Sequence, residues 1–128
     1  MTEKKRKKEG TSASSQQAFM PVVYISSPYR GDTEKNTENA RRFSRIAVEM
    51  GYIPYAPHLL HPQYMNDADE KERNKGLYMG LVMLDKCKEI WVFGDTITEG
   101  MKGEIERAEI RKKTIRYFTL EGKEKSNG

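Results

Sequence analysis

The stretch TEGMKGEIERA, Thr98 to Ala108, holds a hydroxyl, two glycines three apart and then two carboxylates, Glu104 and Glu106, two residues apart. A glutamate near the start of a helix has two uses. It stabilises the helix by roughly a few tenths of a kcal/mol through the macrodipole, or, where the helix start faces a ligand, it acts as a nucleophile. Helix geometry sets Glu106 about 200° around the axis from Glu104, so both cannot face one pocket. A carboxylate in the first turn is expected to stay ionised, because the unpaired N–H groups and the positive dipole end favour the anion. That suits a nucleophile better than a general acid. Gly100 and Gly103 lack a Cβ and let a ligand approach the backbone closely. The same helix start, with Thr98, is suited to an anionic group.

Other groups share this potential. In SSPYRG, Ser26, Ser27, Arg30 and Gly31 can form an anion-binding turn, although Arg30 can equally be an exposed loop arginine. Tyr24 lies in an apolar run, where core packing and a catalytic role are both open. His58 and His61, in PHLLHP, could recruit Asp67 or Asp69 to a metal, but the set lacks a convincing third ligand. Neither a metal nor a cofactor is expected. Backbone capping is the simpler use of the two histidines. Cys87 is the single cysteine, which excludes an intrachain disulfide.

These residues need a scaffold, and the apolar pattern supplies one. PVVYISS, from Pro21 to Ser27, reads as a buried strand with its exit loop. Ala40, Phe43, Ala47 and Met50 recur at helical spacing, and Gly51 ends that helix. YIPYAP is a second strand, placed at an edge by Pro54. The polar segment from His58 to Gly76 is expected to be a long, partly helical loop. Leu77, Leu81 and Leu84 mark a second helix, with Met79 and Met83 as packing residues. EIWVFG is a strand ended by Gly94, in which Trp91 belongs to the core or to a dimer interface. Met101, Ile105 and Ala108 mark a third helix, TIRYF is a fourth strand, and residues 121–128 are expected to fray. Strands alternating with helices imply parallel pairing in a small doubly wound α/β sheet. Ligands of such sheets bind beyond the carboxyl ends of the strands. The loops following the first three strands are those that carry the residues above.

With 128 residues the chain has room for one domain, placed at 20–120. Charged residues make up 33% and the net charge is +4, which invites a nucleic-acid reading. Residues 1–19 carry five basic and two acidic side chains, so the body has 18 basic and 17 acidic residues and a net charge of only +1. This basic tail is polar, without apolar periodicity, and is expected to be disordered. Nucleic acid is expected as a partner only weakly, through KKRKK, and an accessory role resting on the tail alone is a further alternative. No apolar run is long enough for a membrane span and no signal-peptide core is present, so a cytoplasmic protein is expected.

Taken in order, VYISSPYRG, IWVFGD and TEGMKGEIERA resemble the nucleoside 2-deoxyribosyltransferase-like superfamily, over about 100 residues. That superfamily includes the 2′-deoxynucleoside 5′-phosphate N-hydrolases. The closest resemblance is to its short bacterial and phage-borne branch. It implies a flavodoxin-like (Rossmann-like) three-layer α/β/α fold, usually paired as a homodimer or higher homo-oligomer. It implies a glutamate that attacks C1′ of a nucleoside or nucleoside 5′-monophosphate and expels the base. Thr98, Gly100, Glu104 and Ala108 match the family spacing hydroxyl–x–Gly–x–x–x–Glu with a small residue four positions on, which selects Glu104 as the nucleophile. Tyr24 would steady it. Ser26, Ser27, Arg30, Gly31, Asp95, Thr98 and Gly100 would hold the substrate and its phosphate, with His58 or His61 free to contact the base. One position departs: where characterised relatives carry an aspartate, this chain has Gly80. That departure favours the alternative of a nucleotide-binding protein without turnover.

Overall fold

The computed structural model describes residues 19–126. The basic tail expected to be disordered lies, apart from Phe19, outside the described residues. Four parallel strands run β1 (Val22–Ser26), β2 (Ile53–Tyr55), β3 (Glu89–Phe93) and β4 (Thr114–Phe118), in the spatial order β2-β1-β3-β4. Helices α1 (Thr33–Glu49), α3 (Glu70–Lys86) and α4 (Glu99–Ile110) make the crossovers, with a short α2 (Pro57–Leu60) and a 3-10 turn (His61–Gln63) between β2 and α3. The fold is the expected small doubly wound α/β sheet in three layers. The chain leaves β1 toward β2 and then crosses back to β3 on the other side, so the strand order reverses between β1 and β3. The crevice at their carboxyl ends is the natural ligand position of an open α/β sheet.

Side-chain alternation along the strands creates two cores. Val23 and Ile25 face α1, where Phe43 and Ala47 join Trp91, Phe93 and Phe118. Phe43 and Phe93 stack with ring centroids 4.0 Å apart, and Phe118 extends the stack to Trp91. Tyr24, on the opposite face with Ile90 and Val92, packs with Leu84 of α3 and with Met101 and Ala108 of α4. Asp32 caps α1 by accepting from the Lys35 amide, and Gly51, at φ +91°, turns the chain out of it. Pro54 lies in β2, which pairs only with β1, so the missing N–H falls in an edge strand.

Two expectations require correction. The polar stretch after β2 is partly helical, as expected, but more of it is helix than loop: Pro57 opens α2, and α3 starts at Glu70, well before Leu77. Asp69 caps α3 by accepting from the Lys71 amide, and its first turns face solvent, so apolar periodicity does not reveal them. The segment after Leu120 does not fray within the described residues. It turns at Gly122 (φ +93°) and forms an antiparallel bridge from Glu124 to Phe118. The cause is Arg116, whose guanidinium lies 4.8 Å from the Trp91 ring centroid and mostly out of solvent. Such a desolvated cation needs carboxylate partners, and Glu124 (2.8 Å) and Glu89 (3.3 Å) provide them.

Candidate functional site

Tyr24 and Ser26 are two residues apart on β1 and therefore share a face. Opposite them, α4 presents Glu104. The Tyr24 hydroxyl donates to Glu104 Oε2 at 2.7 Å, and the Ser26 hydroxyl donates to Oε1 at 2.6 Å. Tyr24 and Ser26 are buried. Glu104 is half-buried, and with Tyr24 it borders a cavity of about 410 Å³, a volume typical of small-molecule sites. The cavity opens at the carboxyl end of β1, beside the strand-order reversal.

The electrostatics differ from the expectation. Thr98 is the N-cap, accepting from the Met101 amide, and α4 begins at Glu99. Glu104 is thus in the second turn, where the dipole effect has largely faded. Burial pushes its carboxyl up to about 7, against the opposing bonds from Ser26 and then Tyr24. No cation pairs with it among the described residues. Burial, reinforced by the neighbouring Glu104 charge, holds the Tyr24 phenol well above its ordinary value, so it remains a donor.

Of the other predicted residues, Ser27, Arg30, Thr98, Gly100, His58 and His61 all line this cavity. The Ser27 hydroxyl is buried without a partner among the described residues, a state that ordinarily costs about 1–3 kcal/mol. Its carbonyl accepts from His58 Nε2 at 2.7 Å, and His58 stacks on Tyr29. Burial lowers the pKa of both histidines. Arg30 forms an ion pair with Asp67 (3.3 Å) across the loops. No cluster of three or more metal-ligating side chains occurs among the described residues.

Three assignments change. Ser26 holds Glu104 and does not line the cavity. Asp95 points away, 93% exposed and bonded to Lys125 at 2.8 Å, because Gly94 (φ +99°) turns the chain outward. Gly31 forms the turn after Arg30, at φ +99°, outside the cavity wall. Sequence reasoning also missed Tyr55, Arg73 and Gly76. Tyr55 lies 2.6 Å from His61 Nε2, while Arg73 and Gly76 bring α3 to the cavity.

Gly80 has a steric cause. A Cβ there would lie 2.9 Å from the Tyr24 hydroxyl, so the tyrosine that holds Glu104 occupies the space a larger residue would need.

Among solved structures, thirteen chains match. One is a 2-deoxyribosyltransferase from the psychrotolerant bacterium Bacillus psychrosaccharolyticus, at TM-score 0.64 and 14% identity, over 77% of this chain and 72% of that one. At that identity the likeness is one of fold. It agrees with the expected α/β fold. The search of curated proteins gave no match. No helix among the described residues is long and apolar enough to cross a membrane. A family model described as "Domain of unknown function (DUF7768)" matches residues 21–118, and the chain belongs to that family.

Proposed function

We propose that the protein cleaves the N-glycosidic bond of a nucleoside or nucleoside 5′-monophosphate, by hydrolysis or by transfer to a second base, with Glu104 as nucleophile. The single observation behind this is the pair of hydroxyl bonds that fixes both oxygens of Glu104 beside a cavity. Breaking the bond from C1′ to the base builds positive charge on the sugar. A carboxylate held by neutral donors, with no paired cation among the described residues, gains more from that charge than from a neutral ground state. Glu104 attacks C1′ and the bonding electrons leave with the base, giving a glycosyl ester. Water or another base then attacks C1′ and releases the carboxylate.

Tyr24 and Ser26 position the nucleophile. The unpartnered Ser27 hydroxyl, Arg30 and the start of α4 at Thr98 and Gly100 are the groups available to a 5′-phosphate. For Arg30 this requires leaving Asp67. A homodimer belongs to the same reading, with Leu77 and Tyr78 of α3 and Ile110 of α4 as exposed apolar surface; light scattering of the full chain tests it.

The decisive experiment incubates the full chain with a panel of deoxynucleosides and their 5′-monophosphates and measures free base by chromatography. Mass spectrometry then seeks a sugar adduct on Glu104. Release by wild type but not by Glu104→Gln is expected. No release by wild type, or equal release by the variant, removes the catalytic proposal.

A second reading, nucleotide binding without turnover, is favoured by Gly80, where no acidic side chain assists departure of the base. Saturable binding that persists in Glu104→Gln, with no product from wild type, would establish it.

A further inference from the structure

Helix α3 carries two glycines one turn apart on the face that lines the cavity, Gly76 and Gly80. Each is less favourable than alanine inside a helix. For Gly80 the reason is the Tyr24 hydroxyl, as above. Gly76 is different: a Cβ there would meet His61 Nδ1 at 3.7 Å and Met65 at 3.8 Å, ordinary contacts that alanine tolerates. Packing therefore does not demand a glycine, and the open backbone leaves room beside His61 in the cavity wall.

The two glycines also act as a ruler. Four residues of helix rise about 6 Å. Gly80 faces the hydroxyl that holds Glu104 and Gly76 faces His61 Nδ1, so these points lie about one turn apart along one groove. That spacing suits a sugar at one end and its base at the other.

The state of His61 follows from its partner. The Tyr55 phenol, which burial pushes up to about 12, keeps its single proton, and its hydroxyl is 2.6 Å from His61 Nε2. Tyr55 has no other partner for that proton among the described residues. Donation to Nε2 leaves the imidazole proton on Nδ1, the atom turned toward Gly76. Burial keeps the ring neutral near pH 7. His58, by contrast, must carry its proton on Nε2, because the Ser27 carbonyl there can only accept.

Resting on the nucleoside reading of the cavity, we infer that His61 reads the nucleobase: its Nδ1–H, oriented by Tyr55 and exposed over Gly76, donates a hydrogen bond to an acceptor on the base while Glu104 meets the sugar. Tyr55 is the positioning residue and Gly76 keeps the slot open.

Two measurements on the full chain test this. Nitrogen NMR of the ligand-free protein should show His61 protonated on Nδ1 with Nε2 bare, and Tyr55→Phe should shift that balance; an Nε2–H form in wild type overturns the inference. Calorimetry then compares the four common 2′-deoxynucleoside 5′-monophosphates with the base-free probe 2-deoxyribose 5-phosphate. His61→Phe should weaken the tightest nucleotide at least about tenfold, the scale of one lost hydrogen bond, and leave the base-free probe within about twofold. Gly76→Ala should raise the melting temperature and still weaken that nucleotide. Equal loss for both probes, or no loss for either, overturns the assignment. Binding of none of the four nucleotides by wild type removes the nucleoside reading and this inference with it. Tight binding without base release removes only the catalytic proposal.

Discussion

Replacing Glu104 by glutamine should change how stability depends on pH, and the structure sets the size. Glu104 ionises near 4.5 unfolded and, through burial, near about 7 folded. Between those values the folded state holds a proton that the unfolded state has lost, so stability falls as pH rises through the window. The stabilisation from the protonated carboxyl is complete below about pH 4.5 and gone above about pH 7. At 1.36 kcal/mol per unit, the shift corresponds to about 3 kcal/mol as an order of magnitude. Glutamine preserves shape and cannot titrate. Other carboxylates titrate in the same range, so the informative quantity is wild type minus Glu104→Gln at each pH, in which they cancel. Urea unfolding can be followed through Trp91, the single tryptophan, which is fully buried. Between about pH 4.5 and pH 8 the variant should gain about 3 kcal/mol over wild type. Parallel curves would show that Glu104 titrates as an ordinary surface carboxylate, and the account of its environment would be wrong. If the catalytic proposal holds, the rate of base release should rise with pH over the same midpoint, because only the anion attacks.

Ser26→Ala and Tyr24→Phe should each move that midpoint upward, Ser26→Ala further, since its bond opposes burial more strongly; carboxyl carbon NMR of Glu104 reads the shift directly. Gly80→Ala should destabilise by about 1–3 kcal/mol despite the helix gain, because its Cβ would press on the Tyr24 hydroxyl. A midpoint raised as much as in Gly76→Ala would contradict that contact. Gly122→Ala should cost about 1–3 kcal/mol in urea unfolding, since the position combines φ +93° with a clash against the Ile46 side chain. An unchanged midpoint would mean the C-terminal turn contributes nothing to stability.

The central strands β1 and β3 were readable because they are buried along nearly their whole length, so β-branched and aromatic runs such as EIWVF stand out. The start of α3 was not, because its first turns are polar and its cap, Asp69, sits in a run of other acids. Glu104 was singled out by its spacing, but its environment was not legible. Its two partners are 80 and 78 residues away, and desolvation depends on packing that no local pattern records. A dipole argument built on the first turn consequently gave the wrong direction. The Ser26 contact was within reach: the alternation that turns Tyr24 toward α4 turns Ser26 to the same side of the sheet. Asp95 came with the resemblance, and the IWVFGD motif does not record the turn at Gly94 that leaves this side chain exposed against Lys125. The C-terminal turn was invisible because Glu124 has no local reason to order; its reason is Arg116 on β4.

Among the described residues no cation pairs with Glu104, and its neighbours are the reason. Arg107 follows it by three residues on α4, a spacing at which opposite charges commonly pair. Instead Arg107 makes a two-pronged bond to Asp85 of α3, at 2.6 and 2.9 Å, and Arg111 reaches the same carboxylate at 3.2 Å. Those guanidinium groups hold the Asp85 carboxyl well below its usual range, so Arg107 stays committed at any pH where Glu104 titrates. An ion pair at Glu104 would lower its pKa and neutralise its field before a ligand arrived. The α3–α4 bridge thus does two things at once: it ties together the helices that wall the cavity, and, among the described residues, it leaves the carboxylate supported only by Tyr24 and Ser26, two neutral donors. For a group proposed to meet a transient positive charge on a sugar, that is the arrangement in which its own charge is least spent beforehand.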